Sequence, residues 1–135
     1  MKFKKKYIFF YVNNINQANE VILTCKLNNI IPILCFKFYM VKGLGANWIL
    51  ELKNLLNKKF KKKYFKILVN CNKDYGLFIF LTSNKINYLD IKADKKTLIR
   101  LKNIAKKNKV IVNPKYNAID LSRIKKIKMN IEKRL

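Results

Sequence analysis

The chain has 135 residues, 50% of them hydrophobic and 28% charged, with 28 lysines and 3 arginines against 7 acids and a formal net charge of +24. One domain spanning residues 1–135 is expected and a second full domain is excluded, while the apolar content is too high for a disordered basic tail. The absence of histidine removes Ser-His-Asp and Cys-His catalysis, and three cysteines with no CxxC pair cannot build a zinc site, so no catalytic residue, metal or cofactor is assigned.

The first apolar run, residues 7–12, stops at Asn13 and Asn14, short of a signal-peptide core, and reads as a strand. Ile15, Ala18, Val21, Ile22 and Cys25 then recur at helical spacing behind a weak capping box of Asn14 and Gln17. A second strand is expected at 33–38. After it, Lys42-Gly43-Leu44-Gly45 leads into a helix at 46–59 with Ile49, Leu52, Leu55 and Leu56 on one face. The third strand, 65–70, ends at Cys71, and the helix after it, 76–84, is apolar on most sides, which calls for deep burial or docking on a partner. A fourth strand at 86–91 precedes a helix at 94–108 capped by Asp94, with Leu98, Leu101, Ile104 and Ala105 facing inward. A short strand at 109–112 and the Asn113-Pro114 break lead to a terminal helix from near Asp120, carrying Leu121, Ile124, Ile127 and Ile131 on a stripe.

This alternation predicts an α/β fold: a mainly parallel sheet of four or five βα units, open or partial-barrel-like, with a C-terminal helix. An eight-fold barrel needs about 200 residues or more. The longest apolar stretch, 30–41, is broken by Pro32 and Lys37, so no membrane span is expected. Free thiols without a secretory leader suit a cytoplasmic protein.

Ligands of parallel βα folds collect at the carboxyl ends of the strands, which makes the loops there the candidate sites. Lys42, Gly43 and Gly45 beside a helix N-terminus suit a small phosphate or carboxylate ligand, although a turn needing positive φ at Gly43 explains the same glycines. Cys71 and Lys73 follow the third strand. A helix N-terminus and a lysine would lower a thiol pKa, but no base stands nearby, so Cys71 reads as a small buried or capping residue before it reads as a nucleophile. It is also the one cysteine placed in a ligand-facing loop, with the reactivity of an ordinary thiol. Lys92, after the fourth strand, completes the anion-binding set.

The densest basic cluster is Lys58, Lys59, Lys61, Lys62 and Lys63, interleaved with Phe60 and followed by Tyr64. It reads either as a solvated helix end or as a patch tracking the phosphates of RNA or another polyanion. Lysine, asparagine and isoleucine together make 64 of the 135 residues, the signature of an AT-rich genome, so compositional drift accounts for the same excess of charge.

The first βα unit, Gly43, Gly45 and Trp48 opening a helix, a strand ending in Cys71 and followed by Gly76, and the late Ala118-Ile119-Asp120-Leu121 together resemble an uncharacterised bacterial family of small β/α-barrel-like proteins. In that family's pattern the third strand ends in Asp-Cys-Gly-Asp, where this chain has Asn70, Cys71, Asn72 and Lys73. The resemblance implies a barrel-like fold and no particular reaction. The expected role is a small non-catalytic protein that binds an anionic ligand or partner. The alternatives are an RNA- or ribosome-associated basic protein, and a phosphate-handling or lyase-like enzyme centred on Gly43, Cys71 and Lys92.

Overall fold

The computed structural model describes residues 6–121 and 126–134. The apolar runs form six strands, β1 (Lys6–Tyr11), β2 (Ile30–Phe36), β3 (Lys66–Asn70), β4 (Tyr88–Asp90), β5 (Ile111–Val112) and β6 (Ile119–Asp120). All pair in parallel in one open sheet, ordered β5-β4-β3-β2-β1-β6. The sheet does not close into a barrel. Between the strands lie α1 (Ile15–Leu27), α2 (Phe38–Leu44), α3 (Ala46–Lys59), a 3₁₀ turn (Lys62–Tyr64), α4 (Tyr75–Ser83) and α5 (Lys95–Lys107), and α6 (Ile127–Arg134) follows β6.

Every helix contributes to one core, on one face of the sheet. Phe10, Leu34, Phe36, Ile67, Val69 and Leu89 point from the strands toward Ile22, Ile49, Leu56, Phe78, Leu81 and Leu101. Each crossover from β1 to β5 steps in the same direction and lies on that face, whereas residues 113–118 step back across the opposite face to reach β6. All five connections therefore have the same hand, as the strong preference for right-handed crossovers requires. The return segment makes a second, smaller core with Phe9, Tyr11, Ile33, Cys35, Leu68 and Tyr88, capped by Tyr116 and Ala118.

Several boundaries differ from the sequence reading for physical reasons. β2 begins at Ile30 because Pro32 fits inside an extended strand, its φ suiting the backbone and only one donor being lost. Phe38 starts α2 instead of ending a strand. Asp120 lies in β6, paired with Tyr11, where the start of a helix was expected; two residues are too few for a periodic signal, and pairing with β1 decides. The terminal helix begins near Ile127 and packs on α1, with Ile127 and Ile131 buried as expected, while Ile124 lies outside the described residues. Leu55 and Ile104, expected to face inward, are exposed.

Asparagine has a structural use that the periodicity did not disclose. Asn28, Asn84 and Asn108 each end a helix, and each side-chain amide donates to the carbonyl four residues back, at 2.8, 2.8 and 3.1 Å. The next residue, Asn29, Lys85 or Lys109, takes positive φ, and a buried aliphatic residue follows, Ile30 as the first residue of β2 and Ile86 and Val110 just ahead of β4 and β5. The amide adds a donor where the backbone ladder ends, and the Phe80 carbonyl accepts from the Asn84 N–H as well, at 3.2 Å. This recurring Asn-x-aliphatic ending makes part of the asparagine excess a folding device.

Candidate anion-binding site

Helices in this fold run antiparallel to the strands, so helix N-termini gather at the carboxyl ends of the strands and helix C-termini at the amino ends. Charge follows this polarity. Asp74 and Asp94 cap α4 and α5, accepting from Leu77 N–H at 3.0 Å and Thr97 N–H at 2.7 Å, and Asp90 and Asp120 close β4 and β6. The last turns of α1, α3 and α5 carry Lys26, Lys58, Lys59, Lys106 and Lys107. The two caps and the last-turn lysines sit at the helix ends that favour their charge, while Lys95 and Lys96 stand against it in the first turn of α5. All four aspartates lie at the carboxyl ends of the strands, and the amino ends are left strongly basic.

The candidate residues at the carboxyl ends are not brought together as one anion site. Lys42 Nζ lies 2.7 Å from Asp74 Oδ2, so its charge is matched, and that hydrogen bond holds the Asp74 carboxyl below the ordinary range. Gly43 is a residue of α2, while Gly45, at φ 94°, makes the turn between α2 and α3. The positive φ expected at Gly43 thus belongs to Gly45. A shallow cleft of about 350 Å³ does lie here, lined by Lys42, Gly45, Asp74 and Phe80. Cys71 is fully buried in the main core, and burial pushes its thiol up to about 12, with Asp74 and Asp90 adding to the shift. The buried role was the preferred one, but the loop does not present the thiol to a ligand. Lys73 and Lys92 are exposed on the loops that follow β3 and β4, which are tied together by the Lys92 N–H donating to the Asn72 carbonyl at 2.7 Å.

At the opposite end of the sheet a cavity of about 330 Å³ opens between α3, the 3₁₀ turn and the α4–β4 junction. Lys53, Lys62 and Lys85 line it together with Asn57, Asn84 and Asn87, and none of its lining residues is acidic. Lys53 Nζ donates to the carbonyls of Asn84, at 3.1 Å, and Lys85, at 3.4 Å, which anchors it across the mouth of α4. Partial burial lowers the Lys53 pKa, and the charges of Lys62 and Lys85 lower it further. Three mutually repelling ammonium groups around a cavity with amide donors are what an anion with several oxygens would relieve.

Of the basic cluster, Lys58 and Lys59 do end a helix in solvent, and Lys61, Lys62 and Lys63 are all exposed, Lys62 also lining the cavity. Sequence reasoning missed Lys53 and Lys85. Lys85 carried a signal, since the repeated Asn-x-aliphatic ending places it at the amino end of a strand; Lys53 carried none.

Among the described residues no cluster of histidine, cysteine, aspartate and glutamate could hold a metal, and no helix is long and apolar enough to cross a membrane. No protein family, curated protein or solved structure matches the chain.

Proposed function

We propose that this is a non-catalytic binding protein whose ligand carries phosphate groups, held in the cavity of Lys53, Lys62 and Lys85. The observation that carries this reading is the convergence of three lysines on a cavity lined by no acid, with the Lys53 ammonium disfavoured first by partial burial and then by the charges of Lys62 and Lys85. An anion there removes the repulsion and accepts hydrogen bonds from the ammonium groups and from the amides of Asn57 and Asn87. The enzyme alternative draws less support, because burial keeps Cys71 a thiol and Lys42 is paired with Asp74.

Calorimetric titration with tripolyphosphate at low salt is the test. Saturable binding is expected, weakened roughly ten- to a hundredfold in Lys53→Gln, in line with a charge-assisted hydrogen bond of about 1.5–3 kcal/mol. Undiminished affinity in both Lys53→Gln and Lys85→Gln would contradict the assignment.

A further inference from the structure

Resting on the lysine-cavity reading, we infer that the phosphate-bearing ligand is a single-stranded nucleic acid whose bases stack on an aromatic platform across the rim from the cavity. β3 and the start of β4 carry both sites. Ile67 and Asn87 face the cavity, while their chain neighbours Lys66 and Tyr88 belong to the opposite face of the sheet, together with Tyr7 of β1. Lys66 Nζ lies 5.2 Å from the ring centroid of Tyr7 and 5.8 Å from that of Tyr88, so one ammonium stands between two aromatic rings. Tyr88 also meets the ring of Phe9 edge-on at 6.0 Å, which fixes its orientation, and Tyr7 keeps 50% of its surface exposed.

Tyr7 stays half exposed next to the Lys66 ammonium. Such a ring suits a flat, polarisable partner, and a cation between two rings suits a partner that also carries negative charge. Mononucleotides and inorganic phosphates would fill the cavity alone. Only a strand with several phosphates places backbone in the cavity and a base beyond the rim. Duplexes keep their bases stacked inside and would not use the platform. Recognition of this kind is tolerant of sequence, because each base offers a π-face.

The test compares a twelve-nucleotide oligouridylate with an abasic sugar-phosphate strand of equal length, by fluorescence anisotropy at low salt, with oligothymidylate as an arm that reports any preference for RNA over DNA. Oligouridylate should bind more tightly than the abasic strand. Tyr7→Ala should weaken oligouridylate by between roughly fivefold and a hundredfold and leave the abasic strand unchanged, and Tyr7→Phe should restore wild-type binding. Equal affinity for the two strands, or oligouridylate binding unaffected by Tyr7→Ala, would overturn the stacking site while the cavity reading survives if Lys53→Gln still weakens both probes. Failure of both strands to bind would overturn the cavity reading and this inference with it.

Discussion

The hydroxyl of Tyr116 donates to Asp90 Oδ2 at 2.6 Å, and this bond fastens the returning chain to the end of β4. The Tyr116 ring also stacks on Phe9 with centroids 4.6 Å apart, so one residue closes the second core and satisfies a half-buried carboxylate. Burial raises the Asp90 pKa and the hydroxyl lowers it. Tyr116→Phe keeps the stacking and should cost about 1–2 kcal/mol at neutral pH, because the carboxylate loses its donor. A group with a raised folded pKa contributes stability in full at low pH and loses it as pH rises through that pKa. The hydroxyl works the other way, because a donor that lowers the carboxyl pKa stabilises while Asp90 is ionised and stops doing so as pH falls. The deficit of Tyr116→Phe should therefore shrink once Asp90 is protonated in acid. Urea unfolding at pH 7 and at pH 4 checks this, and a deficit that does not change with pH would show that the bond is not to an ionised Asp90.

Gly45 sits at φ 94° and ψ 151°, a region essentially open to glycine alone, between the end of α2 and the start of α3. Gly45→Ala should destabilise by about 1–3 kcal/mol although nothing lies within 4 Å of the added carbon. Gly43, inside α2 with the same open surroundings, should tolerate alanine or gain up to about 1 kcal/mol. The melting temperature should fall for Gly45→Ala and hold or rise for Gly43→Ala.

The core and its order were legible where the chain carries local signals. Asn14 accepts from Gln17 N–H at 2.9 Å and Asp94 from Thr97 N–H at 2.7 Å, as their spacing announced, and the helix at 46–59 forms over those residues. The capping box is offset by one residue, since Gln17 Oε1 accepts from Asn13 and not from Asn14. What was hidden depends on tertiary pairing. β6 exists because Ile119 meets Phe10, and the lysine cavity exists because β3–β4 pairing brings Lys85 to the flank of α3. Lys62 was visible as one of a run, but no local pattern selects it from its exposed neighbours.

All three thiols are buried, and burial raises each of them, Cys25 and Cys71 to about 12. In the native protein they should label slowly at neutral pH, with no advantage for Cys71. Their raised pKa values contribute stability that is complete below the ordinary thiol pKa and is lost as pH rises toward 12. The expected decline is about 1.4 kcal/mol per pH unit for each thiol. Lys53, whose folded pKa is lowered, works in the opposite sense and offsets part of the decline. Cys25→Ala should be less stable than wild type at pH 8 and lose stability less steeply above pH 9; parallel pH curves would contradict the assignment.

Lys62 opposes the Lys53 charge in the free protein and serves the ligand in the bound one. Lys62→Gln should hold or raise the melting temperature, by no more than about 0.5 kcal/mol in stability, while weakening tripolyphosphate. A variant that lost stability and kept its affinity would make Lys62 structural.

The lysine cavity is tested most directly by following the side-chain methylene carbons next to the ammonium groups of all lysines by NMR during a tripolyphosphate titration. Lys53, Lys62 and Lys85 should shift together, saturate with one dissociation constant, and leave Lys42, Lys73 and Lys92 unmoved. Small, non-saturating shifts spread over every exposed lysine, or a saturating response confined to Lys42, Lys73 and Lys92, would contradict it.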